Sequence, residues 1–141
     1  MDKMTLEKPK KKKKTLTPAK VQTSFNQAIV RRDGRCILSG GTDNPQCSHF
    51  FAVGGSGALR FYPPNAHTQT AGVHINFHNR DVLPYTEWMQ ENVPQLDWMK
   101  TARKATIHYG QGSLTIIQSY CKEDRLTELT AYIYELIEAE K

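Results

Sequence analysis

Apolar positions recur at helical spacing toward both ends of this chain and at strand-like spacing only in its middle. Val21, Phe25, Ala28 and Ile29 fall on one side of a 3.6-residue repeat, so residues 18–32 read as an amphipathic helix. Thr17 is placed to cap it, with Pro18 at the first position, where a missing N–H is harmless. Asp33 and Gly34 turn the chain, Arg35–Leu38 suits a short strand, and residues 39–45 form a Gly- and Asn-rich loop. Two β-type runs, Cys47–Val53 and Ala58–Tyr62, flank Gly54–Gly57 and predict a hairpin with a flexible connection. Pro63 and Pro64 stop the second run. After Asn65 come a short extended piece and a helix over Ala71–Arg80. Pro84–Val93 and Pro94–Thr106 read as two further helices, each opened by proline. The pattern over residues 110–120 is ambiguous and allows an extended segment. Glu123–Glu140 is the clearest helix, with Leu126, Leu129, Ile133, Leu136 and Ile137 in one stripe and Lys141 at its end, matching the helix dipole. That stripe either packs on its own domain or pairs with a second copy. The mixture predicts an α+β fold without internal repeats, divided as a tail at 1–17, a main domain at 18–110 and a C-terminal strand/helix segment at 111–141.

Composition changes this picture in one place. The net charge is +5, but residues 1–20 carry +6 and residues 21–141 carry −1, so the basicity belongs to a tail. Lys10, Lys11, Lys12, Lys13 and Lys14 repel one another and have nothing to bury, which predicts disorder. Such a run binds polyanions by salt-sensitive counterion release, or serves only for solubility or nuclear import. No apolar run approaches the ~20 residues of a membrane span, and no apolar stretch follows the lysines, so neither a span nor a secretory signal is expected. Three cysteines, Cys36, Cys47 and Cys121, give no disulfide framework and suit a reducing cytoplasm.

The candidate chemistry lies between Cys47 and His78. On a helix, His74 and His78 stand one turn apart, so both rings can share a metal ion. Neutral imidazole suits Zn, Mn, Ni or Fe better than Mg, which prefers oxygen ligands. His49, on the first strand, is poised near neutral pH to take a proton from water. Asn65 can accept the other ring N–H of His49 and fix its tautomer. A metal there would stabilise charge on a phosphate and on a departing 3′ oxygen. Taken singly, these residues have plainer readings: Asn65 after two prolines is a turn residue, and His pairs recur on helices without metal. Gly54–Gly57 has no following Gly-Lys-Ser/Thr and is not a phosphate loop. Arg60 is either a bidentate phosphate ligand or a solvated strand arginine. Lys20, Arg31 and Arg32 can extend a DNA track from the tail, and Ser48 and His67 can support the site from behind. Trp88, Trp98, Tyr132 and Tyr134 read as core or interface residues.

The order His49, Asn65, His74 resembles the HNH nuclease superfamily, whose core is a ββα-metal fold. The run from Asn65 to His74 and His78 is similar to the metal-binding end of the colicin-type DNases, where both helix histidines bind metal. Over roughly residues 20–105 the chain resembles the phage NinG (Rap) recombination endonucleases. Shared features are Phe25, Asn26, Ile29, Arg32 and Asp33, then Cys36 and Gly40, then Ser48, His49 and Phe50, then Gly54 or Gly55, then Leu59, Arg60 and Phe61. Asn65, His67, Gln69, Tyr85 and Trp98 complete the set. That family carries two Cys-x-x-Cys knuckles that bind a structural zinc. Here they read Cys36–Ser39 and Thr70–Val73, three of four thiolates are missing, and the four-cysteine site cannot form. Ser48, before the base, is a poor ligand where HNH sites often have Asp or His.

The resemblance implies a phage-encoded, metal-dependent DNA endonuclease in the host cytoplasm. It implies branched substrates such as D-loops or Holliday junctions, one divalent ion (Mg, Mn, Zn or Ni), and dealings with host or phage recombination proteins. Its site residues would be His49 and Asn65 for catalysis, His74 and His78 for metal, and Arg60 with Lys10–Lys14 for DNA. The alternative is a non-catalytic DNA-binding recombination accessory that keeps the fold.

Overall fold

A computed structural model describes residues 15–53 and 57–141. Lys10–Lys14 and Gly54–Ser56 lie outside the described residues. Among the described residues the fold is α+β, with six helices and one two-stranded antiparallel sheet.

Helix α1, Pro18–Asp33, begins as the sequence predicts. Thr17 accepts a hydrogen bond from the Lys20 N–H, and Pro18 opens the first turn. It ends at Gly34, whose φ of 72° is the left-handed conformation that glycine adopts without a Cβ clash. Val21, Phe25, Ala28 and Ile29 are buried.

The hairpin differs from expectation. Strand β1, Pro45–His49, pairs with β2, Ala66–Thr70, in a register running from Pro45↔Thr70 to His49↔Ala66. The extended piece after Asn65 is therefore the second strand, and Ala58–Tyr62 is a turn. The reason lies in its burial: Ala58, Leu59, Phe61 and Tyr62 all face inward, whereas a half-buried strand alternates. A short 3-10 turn at Pro63–Asn65 then redirects the chain into β2. Arg35–Leu38 is likewise no strand. The Cys36 N–H bonds to the Gly41 carbonyl and the Gly40 N–H returns to Cys36, closing a tight turn.

Helix α2, Ala71–Asn79, follows β2 directly. Helix α3, Leu83–Asn92, has its proline in the first turn as predicted, whereas α4, Leu96–Ala102, starts two residues after Pro94 and ends short of Thr106. Residues 110–120 are helical, within α5, Gln111–Lys122. The β-branched run Thr115–Ile117 gives the sequence its extended look, but Leu114, Ile117 and Cys121 are buried at helical spacing. The last helix, α6, Leu126–Ala139, starts later than Glu123 because Asp124 takes a left-handed φ of 55°. Leu126, Leu129, Ile133 and Ile137 of its stripe are buried within the chain. No helix among the described residues is long and apolar enough to cross a membrane.

The sheet is flanked by α1 and α2, and α5 packs along α1. Asp33 and Arg32, at the end of α1, pin the hairpin. An Asp33 carboxylate oxygen accepts from the Thr68 N–H, and the Arg32 guanidinium donates to the carbonyls of Pro63 and Ala66. Arg32 is thus engaged with the hairpin. Arg31 pairs with Asp124 and the Cys121 carbonyl at the surface, with about half of its side chain exposed.

Candidate active site

Three elements converge on one surface: the end of β1, the turn before β2, and α2. His49 closes β1, half-buried, with its ring stacked on Phe25 of α1 at 5.7 Å between centroids. Its Nε2 lies 3.0 Å from the Arg60 carbonyl oxygen. A carbonyl can only accept, so Nε2 carries the proton and Nδ1 keeps its lone pair. Burial pushes the His49 imidazole down to about 4, against the pull of the Arg60 carbonyl and with the Arg60 charge and both His74 and His78 adding to the depression. His49 is therefore a neutral imidazole at pH 7, close enough to the α2 histidines to feel their charge, and a weaker base than the near-neutral imidazole the sequence predicts, because burial disfavours its charged form.

The expected role of Asn65 needs correction. Asn65 is fully buried and does not hold His49. Its Oδ1 accepts from the Phe51 N–H at 2.9 Å, and its Nδ2 donates to the carbonyls of Phe51 and Leu59 at 3.1 and 3.3 Å. Both ends of the amide staple the segment leading from His49 to Arg60. The Arg60 carbonyl orients the base, and Asn65 acts through it by fixing the turn.

On α2, His74 and His78 stand as their spacing predicts. Their Nε2 atoms are 2.8 Å apart, and the Gln46 Oε1 accepts from His74 Nδ1 at 2.8 Å. Burial and the neighbouring His78 hold the His74 imidazole below its ordinary value. Two imidazoles bound to one ion at about 2.0–2.1 Å each would have nitrogens about 3 Å apart at a right angle and about 3.4 Å apart on a tetrahedral ion. The 2.8 Å contact is a hydrogen bond between the two rings, near the right-angle spacing; a tetrahedral ion would require the rings to part slightly, with Gln46 as the outer partner that fixes a ligating tautomer. No group of three or more His, Cys, Asp or Glu converges among the described residues, so two imidazoles are the protein donors in view.

Arg60 sits in a turn rather than on a strand. Its Nε donates to Gln22 Oε1 of α1 at 2.8 Å, and its guanidinium lies over the Phe61 ring. Ser48 and His67 back the site. Tyr85 donates to the Ser48 carbonyl, so the His67 Nδ1, 2.9 Å away, must donate to the Tyr85 oxygen. Both residues are buried, and this network braces β1 next to His49.

Burial, reinforced by the Arg32 charge, pushes His67 down to about 3. The folded value lies below the unfolded one, so this contribution is full above pH 6.5 and drains as pH falls toward the folded value. The expected loss is about 3 kcal/mol by pH 4. Urea midpoints of the wild type and His67→Gln from pH 7 to 4 check this. The wild-type stability should fall more steeply, and parallel curves would refute the assignment.

Gln22 and Gln46 carry no signal in the sequence as site residues, and Tyr85 and Asn26 stand out only among the features shared with the phage endonucleases. No family model, no curated protein and no solved structure matches this chain. The chemistry of the site rests on its own geometry.

Proposed function

We propose that this chain is a metal-dependent DNA endonuclease of HNH type, with β1, β2 and α2 as a ββα-metal core. The observation that carries this reading is the contact of the His74 and His78 Nε2 atoms on α2, close enough for their charges to reach His49, a neutral imidazole whose ring is fixed by a backbone carbonyl. His74 and His78 would hold a divalent ion, Mn, Zn, Ni or Mg, which when bound stabilises charge on the scissile phosphate and the departing 3′ oxygen. His49 Nδ1 accepts the proton of the attacking water, while its Nε2–H stays on the Arg60 carbonyl. The Arg60 guanidinium, anchored through Nε, has its outer amines for a phosphate oxygen. Gln46 keeps His74 in the tautomer that presents Nε2. The resemblance to phage recombination endonucleases supports branched DNA as substrate, with the lysine tail adding affinity of no sequence preference.

Metal titration and substrate ranking test this together. His74→Ala and His78→Ala should abolish binding of Ni²⁺ or Zn²⁺ by calorimetry, and Gln46→Ala should weaken it about 10- to 100-fold. A four-way junction and a D-loop should be cut faster than linear duplex. Metal affinity unchanged in both histidine variants would sink the site. Junction binding without cutting in any metal would leave the accessory reading.

A further inference from the structure

Beside the histidine pair, an open groove of about 630 Å³ runs between α1 and β1. Val30, Pro45 and Cys47 give it an apolar wall, and Asn26 and Gln46 border it together with His74.

The hydrogen bonds of the two amides can be assigned without ambiguity, because the chain of bonds starts at an arginine. Arg60 Nε can only donate, so Gln22 presents Oε1 to it. The Gln22 Nε2 then donates to Asn26 Oδ1 at 2.8 Å, which leaves the Asn26 Nδ2 as a donor with no partner among the described residues. Gln46 likewise gives its Oε1 to His74 and keeps Nε2 as a donor. The groove thus offers two N–H₂ groups and an apolar wall. It offers little net charge: Arg31 at its edge is already matched by Asp124. A phosphate would seek an unmatched cation. A planar, neutral ring bearing carbonyl oxygens finds both a surface to lie on and donors for its edge.

We propose that this groove receives one unpaired nucleobase of the bound DNA, read through its carbonyl edge by Asn26 and Gln46 and packed on Val30. The proposal rests on the nuclease reading and deepens it. A base can enter the groove only when it is out of the duplex stack, so the substrate carries an unpaired nucleotide next to the scissile phosphate. Preference for branched or bulged DNA follows from the site itself, because extruding a paired base costs a few kcal/mol that an unpaired one does not.

The test uses the full chain in EDTA with bulged duplexes that differ only in the unpaired residue, thymine or an abasic spacer, read by fluorescence anisotropy. The wild type should bind the thymine duplex about tenfold more tightly, the scale of one hydrogen-bonded base edge. Asn26→Ala, which removes a donor, and Val30→Trp, which fills the groove, should each bring the ratio to about one. Equal wild-type affinities, or a ratio that survives both variants, would overturn the proposal. Binding in EDTA is independent of cutting. A base preference in a protein that cuts nothing with any metal supports the groove and sinks the nuclease. Metal-dependent cutting with no base preference does the reverse.

Discussion

His49→Ala is expected to lower metal-dependent DNA cleavage by about 10³-fold at saturating DNA, with metal binding and junction affinity retained. The size follows from the arrangement around the ring. His49 is neutral at pH 7, its Nε2–H is occupied by the Arg60 carbonyl, and its Nδ1 keeps the one lone pair of the ring. His74 and His78 already share their Nε2 direction and have no base to spare. His49→Gln can still offer an N–H to the Arg60 carbonyl but cannot take a proton, so it should lose as much activity as alanine. That equality separates proton transfer from mere ring placement. Single-turnover rates at pH 7 check both variants, and rates within tenfold of wild type would remove His49 from the chemistry.

Asn65→Ala should cost about 3 kcal/mol of stability and lower the thermal midpoint by roughly 10 °C. Asn65 has no exposed surface, and its side chain makes hydrogen bonds of 2.9, 3.1 and 3.3 Å to the backbone of Phe51 and Leu59. Truncation leaves the Phe51 N–H and carbonyl without side-chain partners, while the Leu59 carbonyl keeps the Tyr62 N–H, and an unpaired group in a half-buried turn is dearer than the net value of the bonds themselves. Asn65→Asp keeps the acceptor for the Phe51 N–H but loses both donors, and should destabilise as well. Each variant should also reduce cleavage at temperatures where it stays folded, because the Arg60 carbonyl moves away from His49. Calorimetric midpoints within two or three degrees of wild type would contradict the stapling role.

The difference between sequence and structure at Asn65 shows what residue order can and cannot convey. The helical spacing of His74 and His78 fixes their relation, because one turn of α2 brings two side chains together whatever surrounds them. That His49 lies on the first strand is legible for the same local reason, but not that the strand ends there: the sequence extends it to Val53, whereas β1 closes at His49. The partner of His49 is not legible either: the Arg60 carbonyl belongs to the backbone, and no residue type announces it. Asn65 follows two prolines and does serve a turn, so the plainer reading of that residue and its part in the site are one fact. The second strand was misplaced because Ala58–Tyr62 is apolar enough for a strand, yet is buried on all sides. Residues 110–120 misled because β-branching and helical burial coincide in Ile117. Arg32 and Asp33 look like surface charges on a helix end, and only the folded chain shows them bonded to β2.

The most direct measurement is single-turnover cleavage of a fluorescently labelled four-way junction by the wild-type chain in Mn²⁺, Ni²⁺, Zn²⁺ or Mg²⁺ against EDTA. Cutting in at least one metal, absent in EDTA, is the expected result. An intact junction in all four metals, bound by a folded protein, would contradict the claim that His49 and the α2 histidines form a hydrolytic site.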